Sequence, residues 1–237
     1  MAAKIIHLDV NNGERVKQIR KEINIHQNLG KHPNIVRFLS AFYHEEEGDD
    51  YIVILTELCN PITLESELEI RKKLPEKLTI HYLSQISRGL QYLHEHLIIH
   101  RDLKPGNIFF KHTLEPVIGD FGLATQLSHP DQRRKKRCGT PAYLAPEMFD
   151  LNSYSFPVDI WALGVMTYLL LTGEMPFESK TVMETYRCIE KCEYHPLGPD
   201  FSPGIRQVVH DKMLTLHEES RATAIELISL FDGLMML

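Results

Sequence analysis

Cysteine is scarce in this chain: Cys59, Cys138, Cys188 and Cys192 are the four among 237 residues. No two of them make a C-x-x-C pair, which excludes a zinc ribbon and a thioredoxin-type motif. Cys188 and Cys192 lie four apart on one face of an expected helix, and all four read as reduced thiols. Long apolar runs are also missing. The longest, Ile160 to Leu171, spans 12 residues, too short to cross a bilayer and suited to a buried core helix. The N-terminus, MAAKIIHLDV, reaches charged residues too early for a signal peptide, so a cytoplasmic or nuclear rather than secreted protein is expected. Basic residues are not in surplus: 26 Lys and Arg against 32 Asp and Glu give a net charge of −6. That balance argues against nucleic acid or a membrane surface as partner of the whole chain. Glycine is thin at the start. The first is Gly13, and no G-x-G occurs anywhere, so a glycine-rich turn that wraps phosphates in backbone N–H groups is lacking.

What remains is ordinary globular material, 43% hydrophobic and 24% charged. The length suits one large domain or two small lobes. Lys4–Asp9 reads as a strand, and Glu14–Leu29 has helical spacing with Val16, Ile19, Ile23 and Ile25 as its apolar positions. His32-Pro33-Asn34 breaks that helix. Ile35–Tyr43 and Tyr51–Glu57 read as strands joined by an acidic turn, Glu45–Asp50. From about residue 62 the pattern turns helical. Glu76–His96 is a long amphipathic stretch, and further helices are expected near 157–172, 180–193, 203–215 and 222–231, with short strands at Ile98-Ile99, Ile108–Phe110 and Val117-Ile118. The expected class is α+β, a small strand-rich lobe over residues 1–57, a connector at 58–61 and a larger helical lobe at 62–237, with a cleft between them.

The chemistry-bearing residues fall in loops. His100-Arg101-Asp102-Leu103-Lys104-Pro105-Gly106-Asn107 sits between two expected short strands, Asp120-Phe121-Gly122 follows, and Ala145-Pro146-Glu147 comes later. Together they match H-R-D-L-x-x-x-N, D-F-G and A-P-E in order, the protein-kinase signature set. Phosphoryl transfer needs a positioned nucleophile and compensation for charge on the phosphate oxygens. Asp102 suits acceptance of a hydroxyl proton, and Lys104 suits contact with the transferring phosphate. Asn107 and Asp120 offer hard oxygen ligands suited to magnesium, and Gly122 permits a sharp turn after the second.

The chain therefore resembles the eukaryotic protein kinases, and the resemblance covers nearly all of it. It implies a bilobal kinase fold and ATP with Mg2+. Lys4, after Met1-Ala2-Ala3, resembles the end of V-A-I-K, and Glu22 its helical partner at the nucleotide phosphates. Thr56-Glu57-Leu58-Cys59 resembles the hinge, where Glu57 and Cys59 meet adenine through backbone groups, with Thr56 as gatekeeper and Phe109 as floor. His100 is expected to pack under Phe121. Arg101 is the arginine that normally receives an activation-loop phosphate, Asp159 the brace of the catalytic-loop backbone, and Arg221 the partner of Glu147. Lys104 and Cys138-Gly139-Thr140-Pro141 are similar to serine/threonine kinases, with Thr140 bonded to the catalytic pair. Glu22-Ile23-Asn24-Ile25-His26, Glu57-Leu58-Cys59, Arg71-Lys72-Lys73-Leu74 and Ile118 to Thr125 look like the polo-like kinases in particular, which implies a role in cell division.

Three departures from that pattern stand out. Only three residues precede Lys4, so the glycine-rich loop is absent; a truncated sequence is the favoured reading, and a weakened kinase or an interaction module is the alternative. The chain as given stops at Leu237, just after the last expected helix, and no part of it is expected to serve as the polo-box region into which polo-like kinases continue. Lys136 occupies the position of the usual phosphorylated threonine and would repel Arg101, leaving Ser128 and Thr125 as other candidate sites. The basic run Arg133 to Arg137 has three readings: a solvated loop, recognition of acidic residues beside a protein substrate's hydroxyl, or a nuclear-import signal. Oligomeric state is left open.

Overall fold

The structure is a computed structural model that describes residues 1–8, 12–46, 48–149 and 153–236. At the N-terminal end, β1 (Ala2–Leu8), β2 (Phe38–Glu46) and β3 (Asp49–Thr56) form an antiparallel sheet in the order β1-β3-β2. The long helix α1 (Gly13–Asn28) starts at Asn12, whose side chain accepts the Arg15 N–H at 3.1 Å. It packs onto the sheet through Ile19, which joins Ile6, Leu8 and Ile54 in a small core of its own.

The strand boundaries differ from the sequence expectation in all three strands. β1 begins two residues earlier, at Ala2, while Asp9 lies outside the described residues. Ile35 does not belong to β2. It bridges in parallel to Ile118, because the Asn34 side chain is tied to the Pro116 carbonyl and to Gln85. The expected acidic turn is mostly strand: Glu45 faces Asp50 and Glu46 faces Asp49 across the hairpin. Like charges opposed in this way weaken a ladder, which is why the sequence reads there as a turn.

The rest of the chain surrounds a second, larger core. α3 (Glu76–Glu95) runs through it, with Leu83, Ile86, Leu90 and Leu93 fully buried. α4 (Pro157–Thr172) is apolar nearly all round and buried, ending on left-handed Gly173. α2 (Leu64–Arg71), α5 (Val182–Lys191), α6 (Pro203–Gln207) and α7 (Ala224–Met235) pack about these two. α5 and α7 each open with a Thr–Glu capping box, at Thr181/Glu184 and Thr223/Glu226. The helix expected over 203–215 is α only as far as Gln207; residues 208–213 take the wider π winding. Two short ribbons, β4 (Ile98–Ile99) with β7 (Thr125–Gln126) and β5 (Ile108–Phe110) with β6 (Pro116–Ile118), carry the loops of interest. No helix among the described residues is long and apolar enough to cross a membrane.

Candidate active site

The loop between β4 and β5 is held by a residue far along the chain. Asp159, fully buried on the first turn of α4, accepts the His100 and Arg101 N–H groups, each at 2.9 Å, and the His94 ring at 3.0 Å. Burial opposes its ionisation, but the His94 bond leads the interactions that hold its carboxyl below the usual carboxylate range. This anchoring matters because Arg101 has φ +68°, a left-handed conformation that costs about 1–3 kcal/mol for a side-chain-bearing residue. His100 donates from Nε2 to the Gly119 carbonyl at 3.1 Å and accepts the Asp102 N–H on Nδ1 at 3.3 Å. It also meets Phe121 edge-on at 5.5 Å. Both ring nitrogens are thereby committed to structure.

Asp102 sits at the centre of a four-residue cluster. Its Oδ1 accepts the Thr140 hydroxyl at 2.7 Å and the Thr140 N–H at 3.0 Å. Its Oδ2 accepts from Asn107 Nδ2 at 3.0 Å and lies 3.3 Å from Lys104 Nζ. Lys104 in turn donates to Thr140 at 2.9 Å. Gly139, before Thr140, has φ +117°, and a Cβ there would lie 2.6 Å from the Arg101 carbonyl oxygen. Only glycine lets the activation segment approach the catalytic loop this closely.

A second cluster spans the sheet and the D-F-G loop. Lys4 on β1 reaches Glu22 on α1 at 2.7 Å and Asp120 at 3.0 Å. Burial alone would lower the Lys4 pKa; Glu22, and then Asp120, more than offset this and raise it above the ordinary value. Burial alone would raise that of Asp120; Lys4, with the Gly122 N–H, holds its carboxyl below the usual range. Asp120 also adopts a positive φ of 55°, and its Oδ1 is steadied by the Gly122 N–H at 3.2 Å.

These side chains border a cavity of about 500 Å3 between the sheet and the helical part, lined among others by Thr56, Cys59, Phe109 and Asp120. Gly119 lies flat against its floor, where an added Cβ would come within 2.9 Å of the Phe109 ring and of Val36. The connecting segment is pinned on both sides of Cys59: the Glu57 N–H donates to the Arg37 carbonyl at 2.9 Å and the Asn60 N–H to the Phe110 carbonyl at 2.7 Å. Burial pushes the Cys59 thiol up to about 11, so it is not a thiolate near neutrality.

The donor set suits a magnesium ion. Asn107 spends its amide nitrogen on the Asp102 carbonyl and carboxylate, which leaves its amide oxygen for an electropositive partner. Asp120 adds a carboxylate that is 43% exposed. Magnesium asks the protein for only one or two such oxygens when phosphates and water supply the rest.

Farther out, Arg221 grips Glu147 with two hydrogen bonds of 2.7 and 2.9 Å and lies over the Trp161 ring at 4.9 Å. Every residue singled out in the three motifs is thus in a specific contact. The basic run is less uniform. Arg133 is tied to Ser153 and Glu218, Arg134 to the Gln126 carbonyl, and Arg137 lies 5.7 Å from the Phe149 and Tyr186 rings. Lys135 and Lys136 are exposed. Arg101 donates to the Leu123 carbonyl and the Tyr154 hydroxyl. Thr125, considered above as a modification site, is 1% exposed and out of reach of another enzyme in this conformation. Sequence reasoning missed Lys21, which bonds the Thr125 hydroxyl at 2.8 Å; a lone lysine on a helix gives no signal.

Comparison with known proteins agrees with this geometry. Residues 1–230 match the protein kinase domain family. The chain is 42% identical to the serine/threonine-protein kinase polo of Drosophila melanogaster over 221 residues, 93% of this chain and 37% of that protein. It is 40% identical to the serine/threonine-protein kinase PLK2 of Mus musculus over 228 residues, 96% of this chain and 32% of that protein. It is 39% identical to PLK1 of Xenopus laevis over 208 residues, 88% and 34%. The chain spans about a third of the length of these curated relatives. With the H-R-D loop tied to the D-F-G loop through His100 and Gly119, with Glu147 of A-P-E braced by Arg221, and with a match that runs from Met1 to Leu230, the chain belongs to the protein kinase domain family and is similar to its polo-like serine/threonine members.

Proposed function

We propose that this chain transfers the γ-phosphoryl group of ATP to serine and threonine hydroxyls of proteins. One observation carries the reading: the Asp102 carboxylate is fixed by Asn107, Lys104 and Thr140, in a loop that His100 and Asn107 tie to Gly119, next to Asp120 of the Lys4–Glu22–Asp120 cluster.

Each residue has a definite task in this reaction. The cavity takes adenine against Phe109 and below Thr56, with the backbone of Glu57 and Cys59 as its polar partners. Lys4, held by Glu22, donates to the nucleotide phosphates. Asp102 orients the incoming hydroxyl and accepts its proton as the new bond forms. Lys104 neutralises charge on the transferring phosphoryl group, and Thr140 keeps it and Asp102 in register. Asn107 and Asp120 would hold magnesium, which when bound compensates the negative charge of the phosphates. Arg101, Asp159, Glu147 and Arg221 position these groups without touching substrate.

Residues 1–57 act as the small lobe, 58–61 as the hinge and the remainder as the large lobe. Protein substrates with acidic residues near the target hydroxyl fit the surplus of cations on the activation segment. Since Arg133 and Arg134 are occupied within the chain, Arg137 is the better placed of the arginines for this task. A role in cell-division control, in cytoplasm or nucleus, is the reading that the polo-like resemblance supports. The test is incorporation of labelled phosphate from ATP into a generic protein substrate, comparing the chain with Asp102→Asn. Serine and threonine labelling that vanishes in the variant supports the proposal. Equal background labelling from both sinks it and leaves an interaction module.

A further inference from the structure

Helix α1 presents one stripe of side chains to the D-F-G loop. Gln18, Glu22 and His26 are spaced four apart, which stacks them along one face of the helix. The His26 ring lies 4.6 Å from that of Phe121. Glu22 holds Lys4, which in turn holds Asp120. Gln18, at the N-terminal end of the stripe, donates from Nε2 to the Gly122 carbonyl at 3.0 Å, across 104 residues of sequence. Each residue of D-F-G is thus met from α1, directly or through Lys4, and the contact to the glycine is made by a residue that carries no task in the reading above.

Gly122 has no side chain to hold it, and its backbone has more freedom to lose than that of any other residue type. Yet it sits in the turn that follows Asp120, closed by the Ala124 N–H on the Phe121 carbonyl at 3.0 Å. Both of its own backbone polar groups are taken by side chains. Its N–H donates to Asp120 Oδ1 at 3.2 Å, and its carbonyl accepts from Gln18. It is also wedged between two carboxylates: an added Cβ would come within 3.2 Å of Asp120 Oδ1 and 3.3 Å of Glu22 Oε2. Asp120 itself has a φ of +55°, a conformation that persists in such a residue only where the surroundings impose it. Lys4 and the Gly122 N–H both grip Asp120 by its carboxylate, the group that would hold magnesium. The Gln18 bond restrains the same turn without using a carboxylate oxygen.

We propose that Gln18 is a positioning residue for phosphoryl transfer: by holding the Gly122 carbonyl it fixes the turn that aims the Asp120 carboxylate at magnesium, and it ties that aim to the place of α1. The inference rests on the kinase reading above. Gln18 does not line the nucleotide cavity and acts through Gly122. An amide suits the task because it is a neutral donor. It bonds a carbonyl beside Lys4, Glu22 and Asp120 without altering the balance of charge among them. Any movement of α1 that breaks the Gln18 bond frees Gly122, and the aim of Asp120 is lost with it.

The test compares the parent with Gln18→Leu, which is similar in size and lacks the donor. ATP binding is measured by calorimetry with magnesium and with EDTA, and backbone hydrogen exchange is followed without nucleotide. In Q18L the affinity gained from magnesium should fall by about three- to tenfold, the worth of one hydrogen bond, while affinity in EDTA stays as in the parent. KM for ATP with magnesium should rise by the same factor. Amides of residues 120–124 should exchange faster, and those of α3 and α4 should not. An equal loss with and without magnesium would overturn the proposal, since it would mean that α1 had merely loosened. An unchanged gain from magnesium would overturn it too. No gain from magnesium in the parent would sink the kinase reading and this role with it, whereas unchanged exchange at 120–124 in Q18L would sink this role alone.

Discussion

Asp159 holds the backbone of Arg101 across 58 residues of sequence: its Oδ1 accepts the Arg101 N–H at 2.9 Å while its Oδ2 accepts that of His100. The strain of a left-handed Arg101 is therefore offset by a carboxylate on a different element. Asp159→Ala removes acceptors from two buried N–H groups and from His94. The expected loss is about 3–5 kcal/mol of stability, measured by urea unfolding, together with loss of phosphate transfer. A variant within 1 kcal/mol of the parent, on the order of a surface substitution, would show that the loop holds its shape by itself.

Glu147 and Arg221 form the second long-range brace, and the Arg221 side chain is fully buried. Removing one partner strands the other's charge, at a cost of about 3–5 kcal/mol. Glu147→Gln and Arg221→Met should each destabilise by that order, and the double variant by less than the sum. Additive losses in chemical denaturation would mean the two residues do not act as a pair.

Gly139 offers a test that separates geometry from stability. Its φ of +117° and the 2.6 Å approach of a would-be Cβ to the Arg101 carbonyl mean that Gly139→Ala must move the backbone beside Thr140. The expected result is a fall in kcat of about 10–100-fold with little change in KM for ATP, because the nucleotide cavity does not include this residue. A change confined to KM would contradict the assigned role of Thr140.

Lys21 should titrate near 8, well below an ordinary lysine. With a folded pKa below the unfolded value, the charged form is disfavoured in the native state. Stability is thus penalised below pH 8 and recovers as pH rises from there toward 10.5. Acylation at pH 8 should therefore label Lys21 faster than Lys17 on the same helix, and Lys21→Met should raise the melting temperature at pH 7. Equal labelling of the two lysines would contradict the lowering of Lys21 by burial and its cationic neighbours.

Much of the site was legible because its chemistry is carried by short contiguous loops. H-R-D, D-F-G and A-P-E each fix residue type and local order, and the pairing of Lys4 on β1 with Glu22 on α1 is what the kinase resemblance implied. Helix α4 was placed at its observed ends because its apolar run is bounded by Pro157 and Gly173. Other features depend on contacts no local pattern encodes. Ile35 leaves β2 because Asn34 is held by Pro116 and Gln85. The meeting of Lys21 and Arg101 with the run at 133–136 was invisible, since it exists only in the folded chain. The run itself suggested a solvated loop, a substrate-facing one or a nuclear-import signal, and two of its arginines prove to be engaged internally.

The central claim is that Asp102 acts on the hydroxyl while Asp120 acts on the metal-bound nucleotide. It is tested most directly by measuring magnesium-dependent ATP affinity and phosphate transfer in the same preparations of the parent, Asp102→Asn and Asp120→Asn. Asp102→Asn should bind ATP with magnesium like the parent yet lose transfer by about 10²–10⁴-fold, and Asp120→Asn should lose the magnesium dependence of binding. Transfer undiminished in Asp102→Asn, or ATP binding indifferent to magnesium in all three proteins, would contradict the account.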